Sequence, residues 1–173
     1  MEDKFARFKW AIECLQLRPD DTVLEIGPGA GLALELMQSS VHSLVAVERS
    51  ALMLKRIRER LGRRENFQSI EGDLLNVDLN GHKFTKIFAF NVSGFLRNKS
   101  MFQALLPHLS KGASVGIFYQ NPPGSTQQKL LTMLQQLKQN AEKCHLTPVM
   151  ECRMSPPTST PTGGTIFQLQ LTR

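Results

Sequence analysis

Apolar residues along this chain follow two rhythms, unbroken short runs and longer stretches in which they return every three or four positions. Short runs open TVLEIGPGAGLAL (22–34), fill SLVAVE (43–48), NFQSIEGD (66–73), KIFAFNV (86–92) and ASVGIFY (113–119), and recur near 145–154 and 165–172. Their length and their polar or glycine boundaries predict strands. The helical rhythm joins Phe5, Phe8, Ile12 and Leu15, then Leu32 and Leu36, then Leu52, Ile57 and Leu61. It returns over 127–144, where Leu130, Leu131, Leu134 and Leu137 share a face. Ser50 is placed to cap one of these helices, and Pro107 to close another that follows Ser100. Strands alternating with helices predict an α/β fold built on a doubly wound sheet.

Composition narrows this picture. At 173 residues with 41% hydrophobic content, the chain is expected to form one domain over 1–173, without room for a second. The opening MEDKFARFKW carries no apolar run of signal-peptide length, and nothing approaches the ~20 residues of a membrane span. A cytoplasmic location is the expectation. Cys14, Cys144 and Cys152 make an odd set without a C-x-x-C pair, which suits neither a disulfide framework nor a metal site. They are read as reduced and mostly buried. The segment SPPTSTPTGG at 155–164 has the composition of a loop.

Candidate chemistry centres on the glycine turn after the first strand. Gly27, Gly29 and Gly31 stand at alternate positions between an apolar strand ending in Glu25 and an apolar helix start, leaving a turn open to a ligand. A dinucleotide fingerprint needs a small residue at its sixth position, and either register puts leucine there, Leu32 or Leu34. That disfavours a nicotinamide-dependent oxidoreductase. Glu25 would repel a pyrophosphate and attract a cation. The second strand ends in Glu48, an acid at the distance expected for a ribose diol. The pattern E-x-G-x-G-x-G, followed by ERSALML and then EGDLL, resembles the class I S-adenosylmethionine-dependent methyltransferases over essentially the whole chain. The resemblance implies a sheet of order 3-2-1-4-5-7-6 with an antiparallel last strand, and S-adenosylmethionine as cofactor. It also implies cofactor-binding roles for Glu25, Gly27, Gly29, Gly31, Glu48, Arg49, Met53, Asp73, Leu74 and Asn91. Met53 serves equally well as plain core.

Net charge is +6, much of it on Lys55, Arg56, Arg58, Arg60, Arg63 and Arg64. The run reads as a solvated helix face or as an electrostatic footprint for nucleic acid. Because it lies on the adenine side, reversing Arg56 and Arg60 is expected to leave turnover nearly intact. Ligands of such sheets bind beyond the carboxyl ends of the parallel strands. The acceptor is therefore expected between 91–95, 119–123, the 155–164 loop and the opening helix, whose start at 1–8 is placed to act as a partial lid. After the fourth strand the sequence reads FNVSGFLRN. Adenine-amine methyltransferases carry a polar-Pro-Pro-aromatic element here; this chain has Asn91, no proline, and Phe95 one place late. Its upstream motifs are nevertheless similar to those of the ribosomal-RNA adenine dimethyltransferases, which carry an extra helical domain beyond the sheet. Small single-domain bacterial methyltransferases resemble it more closely overall, matching Asn91, Val92, Tyr119, Pro122 and Pro123. These implications make a small-molecule acceptor the leading expectation, an RNA adenine the runner-up, and a non-catalytic cofactor-binding module a third reading. Asn91 and Tyr119 are the candidates for orienting the acceptor. None of His42, His82, His108 and His145 falls in a strand-end loop.

Overall fold

The computed structural model describes residues 4–154 and 160–170. Seven strands form one sheet, β1 (Thr22–Ile26), β2 (Ser43–Glu48), β3 (Phe67–Glu71), β4 (Phe84–Phe90), β5 (Leu109–Gln120), β6 (Leu146–Arg153) and β7 (Thr162–Leu169). Their spatial order is β3-β2-β1-β4-β5-β7-β6. The neighbours from β3 to β5 pair in parallel, and β7 runs antiparallel to both β5 and β6. This is the topology that the family resemblance implied.

Side chains of successive strand residues face opposite ways, so buried strands need apolar residues on both faces, and two cores result. Leu24, Ile26, Ile87, Ala89, Val115, Ile117 and Tyr119 face one core. It is closed by α4 (Gly94–Arg97), α5 (Ser100–Leu105) and α6 (Gln127–Glu142). Val23, Ala46, Phe88, Phe90 and Phe118 face the other, under α1 (Ala6–Leu15), α2 (Leu32–Met37) and α3 (Ala51–Leu61). Ser50 does cap α3, its hydroxyl accepting from the Met53 amide at 3.3 Å. Pro107 lies inside a 3-10 turn that closes α5.

Two expectations change. The FNVSGFLRN segment contains the short helix α4, which the apolar rhythm does not reveal because four residues make barely one turn. The proline- and threonine-rich segment is not a loop throughout, since Thr162, Gly163 and Gly164 pair with β5 as the start of β7. A Cβ at Gly164 would stand 2.3 Å from the Phe118 ring and 2.7 Å from the Ile117 carbonyl oxygen; glycine here permits close strand packing. Residues 155–159 of that segment, and 1–3 of the expected lid, lie outside the described residues. Cys14, Cys144 and Cys152 are free thiols. Among the described residues no helix is long and apolar enough to cross a membrane, and no cluster suits a metal ion.

Candidate active site

The carboxyl ends of β1 to β5 meet at one edge of the sheet. A cavity of about 370 Å³ opens there, bounded among others by Gly27, Glu48, Arg49, Asp73, Leu74 and Asn91. Six of the residues anticipated from sequence thus converge. Glu25, Gly29, Gly31 and Met53 are not among its walls, and each has a different place.

The turn after β1 is built by backbone acceptors and donors. Gly27 N–H continues the sheet to Val47 O at 2.9 Å. Gly29 has φ +55°, and a Cβ built on it meets nothing within 4 Å, so the turn is open at its apex. Gly31 differs: its Cβ would meet Ile57 Cγ1 at 3.0 Å, and the missing side chain lets α3 pack against the turn. Glu48 joins the first two strand ends. One carboxylate oxygen accepts from Gly29 N–H at 3.1 Å and the other from Ser50 N–H at 2.9 Å. Two carboxylate oxygens offer about four acceptor sites, leaving capacity for a diol. Asp73 accepts from Leu75 N–H at 3.0 Å and faces Arg49, whose Nη1 is 3.5 Å away. Met53 is half-buried in the first turn of α3.

Glu25 is 2% exposed and its Oε2 has no partner. Burial, with the Glu48 carboxylate adding to it, pushes its acid up to about 8. A buried carboxyl with an unpaired oxygen beside a second carboxylate is matched by a cation. S-adenosylmethionine carries an ammonium and a sulfonium, so the donor set, the open turn and the cavity fit that cofactor.

The other half of the edge is held by contacts distant in sequence. Asn91 lies in the left-handed region at φ 59°, which asparagine tolerates better than most residues. Its Oδ1 accepts from Gln120 N–H at 2.9 Å, tying the end of β4 to the end of β5. Tyr119 departs from its expected role. Its side chain is in the core at 3% exposure and its hydroxyl donates to Val92 O at 2.7 Å. Burial alone pushes the pKa of its hydroxyl above the ordinary phenol range. It therefore positions the loop that bounds the cavity instead of reaching an acceptor. Asn140 of α6, 2% exposed, supports the same loop by donating to the Phe95 and Leu96 carbonyls, each at 3.1 Å. Phe95 is fully buried, its ring 4.9 Å from that of Phe102. The histidines precede β2, β4, β5 and β6 and so stand at the opposite edge, as anticipated.

Sequence reasoning missed Arg7 and the outward role of Gln120. Arg7 Nη1 donates to Gln120 Oε1 at 2.5 Å across 113 positions, a pairing no local motif announces. It also missed the contacts of Arg60. That side chain donates through Nε to Ala30 O at 2.9 Å and through Nη1 to Glu35 at 2.6 Å, holding the glycine turn from outside. Arg56, by contrast, is exposed with no such contact among the described residues, so the two arginines expected to behave alike differ in what they hold.

Comparison with known proteins identifies the family and the fold. The profile of the methyltransferase domain family matches residues 23–112. Ribosomal RNA small subunit methyltransferase A of Synechococcus elongatus is 42% identical over 67 residues, covering 39% of this chain and 24% of that protein. The enzyme of the same name from Geobacter metallireducens is 30% identical over 139 residues, covering 72% of this chain and 50% of its own length. This chain thus spans half or less of these curated relatives. An S-adenosylmethionine-dependent methyltransferase from Clostridium acetobutylicum has the same fold, with a TM-score of 0.74 at 14% identity, covering 97% of this chain and 92% of that one. The chain belongs to the methyltransferase domain family. It is a class I S-adenosylmethionine-dependent methyltransferase with a Rossmann-like sheet.

Proposed function

We propose that the chain is a single functional domain that transfers a methyl group to a small-molecule acceptor seated beside Asn91. The burial of Phe95 carries this reading. In an adenine-amine enzyme an aromatic of this loop stacks on the base, whereas here the ring packs in the core against Phe102.

Glu48 is positioned to accept from the ribose, Asp73 and Leu74 to border the adenine, and Glu25 to balance the positive methionine end. When bound, S-adenosylmethionine supplies a methyl already activated on sulfur. The remaining work is alignment and exclusion of water. Asn91 and Val92 form the wall from which an acceptor is aligned, and Tyr119 and Asn140 keep that wall in place. With the histidines at the far edge, an amine or thiol that arrives deprotonated suits the site better than a hydroxyl.

The runner-up, methylation of an RNA adenine, draws on the similarity to ribosomal RNA small subunit methyltransferase A and on the basic face of α3. Radiolabelled methyl transfer separates the two. Incubation with a fractionated small-molecule extract should label a low-mass product. Label entering ribosomal RNA instead, with a salt dependence that flattens when Arg56, Arg58, Arg63 and Arg64 are neutralised, would overturn the proposal, since each phosphate contact contributes roughly one unit of slope.

A further inference from the structure

We propose that Arg7 is the recognition residue for a carboxylate or phosphate on the acceptor, so that the substrate is a small anion. The inference rests on the proposed acceptor site and specifies its chemistry.

Arg7 lies in the first turn of α1, half-buried over the carboxyl edge on the β4 and β5 side. Its guanidinium carbon is 4.8 Å from the Phe8 ring centroid and 5.7 Å from that of Phe90. Aromatic faces attract a guanidinium and fix its plane without neutralising it. The hydrogen-bond partner is the neutral amide of Gln120. That amide is itself held, its Nε2 donating to Thr160 Oγ1 at 2.8 Å, so its oxygen is aimed at Arg7. Among the described residues no carboxylate stands within ion-pair distance of Arg7, and its buried Nε has no acceptor. A guanidinium has five donors in a planar fork, and most of these remain. Next in the chain, Asn121 is 3% exposed with both side-chain polar atoms unpartnered, a second unsatisfied group at the same strand end.

An arginine that serves only to fasten a helix is normally matched by a carboxylate or several carbonyls. Here a positive charge rests against a pair of packed rings and is oriented by one amide, which leaves the fork available for a bidentate anion. The link to the cavity is short, because the Gln120 that orients Arg7 also donates its backbone N–H to Asn91 Oδ1. Arg7 and Asn91 thus hold an acceptor from two sides of one residue.

The test uses the full chain saturated with S-adenosylhomocysteine, followed by the arginine Nε–H resonances in ¹⁵N-resolved NMR. The Arg7 signal is assigned by its loss in Arg7→Lys. Sodium acetate and inorganic phosphate, titrated at constant ionic strength, should shift it saturably. Arg7→Met should weaken binding of the effective anion, measured by competition, at least tenfold, with Arg7→Lys between it and the parent chain. If Arg7→Met fails to fold, Gln120→Glu gives the same answer, because an internal carboxylate against Arg7 should abolish the shift. No shift with either anion, or undiminished anion affinity in these variants, overturns the proposal. So does a shift produced by an oligoadenylate RNA and by neither small anion. Binding of S-adenosylhomocysteine is measured separately, so loss of that binding with the anion response intact would count against the proposed function alone.

Discussion

The two halves of the carboxyl edge are built differently. Around β1, β2 and β3 the key side chains grip backbone within one strand–helix–strand step: Glu48 reaches Ser50 and, 19 positions back, Gly29, and Asp73 reaches Leu75. Around β4, β5 and β7 the connections span longer separations, Arg7 with Gln120 and Gln120 with Thr160 through side chains, and Tyr119 with the Val92 carbonyl. On the proposed assignment, a cofactor common to a large family meets a device that recurs as a motif. The acceptor half depends on how distant segments happen to meet, so its chemistry belongs to this chain.

Substitutions on either side probe that contrast. The largest effect is expected from Glu48→Ala, which removes an acceptor for the ribose and loosens both the Gly29 and Ser50 amides. Charged hydrogen bonds are worth about 1.5 to 3 kcal/mol each, so affinity for S-adenosylhomocysteine by calorimetry should fall about 100-fold or more. An unchanged affinity in a folded variant would reduce Glu48 to a strand-end charge. Next, Arg60→Glu should lower that affinity about tenfold, by repelling Glu35 and freeing the Ala30 carbonyl, a loss of about 1.4 kcal/mol. Arg56→Glu should leave it unaltered. Equal effects from the two would show that overall charge matters and the contact does not.

In the acceptor half, Tyr119→Phe leaves the Val92 carbonyl with only the longer bond from Phe95 N–H at 3.4 Å, at a cost of about 0.5 to 1.5 kcal/mol. Thermal denaturation should reveal a midpoint lowered by roughly 2 to 4 °C for each of these kilocalories, with cofactor binding retained and turnover reduced. Loss of cofactor binding would mean that the halves are coupled more tightly than their contacts indicate.

The smallest signal comes from Glu25, whose acid is pushed up to about 8 by burial and the neighbouring Glu48 carboxylate. A cationic ligand favours the ionised form and lowers it, so binding at pH 6.5 should release up to one proton. Calorimetry in two buffers of different ionisation enthalpy counts that proton, and Glu25→Gln should abolish the release. The same shift acts on folding. An acid raised above its unfolded value binds its proton more tightly in the folded chain, so this contribution to stability is full below about pH 4.5 and declines as pH rises through about 8.

What could be read from sequence follows the same divide. Strand positions were visible because buried parallel strands must be apolar throughout, and β2 coincides with SLVAVE. The cofactor residues were visible because a turn, an acid and a cap act within a few positions of one another. The sheet order came from family likeness, since periodicity carries no information about which strands pair. Tyr119 was assigned to the wrong surface: a strand end is exposed or buried according to the helices above it, and α4 was too short to leave a rhythm. Arg7 was invisible because its partner is a glutamine far along the chain, with no charge to suggest the meeting.

Gly31 shows how a motif can conceal two causes. It belongs to the same short word of sequence as Gly29, yet its missing Cβ makes way for Ile57 of α3, whereas the space at Gly29 faces no neighbour. A side chain at 31 presses on the adjacent helix before any ligand arrives. In a mutational scan inside cells, position 31 would register as lost protein and position 29 as protein that accumulates but does not work.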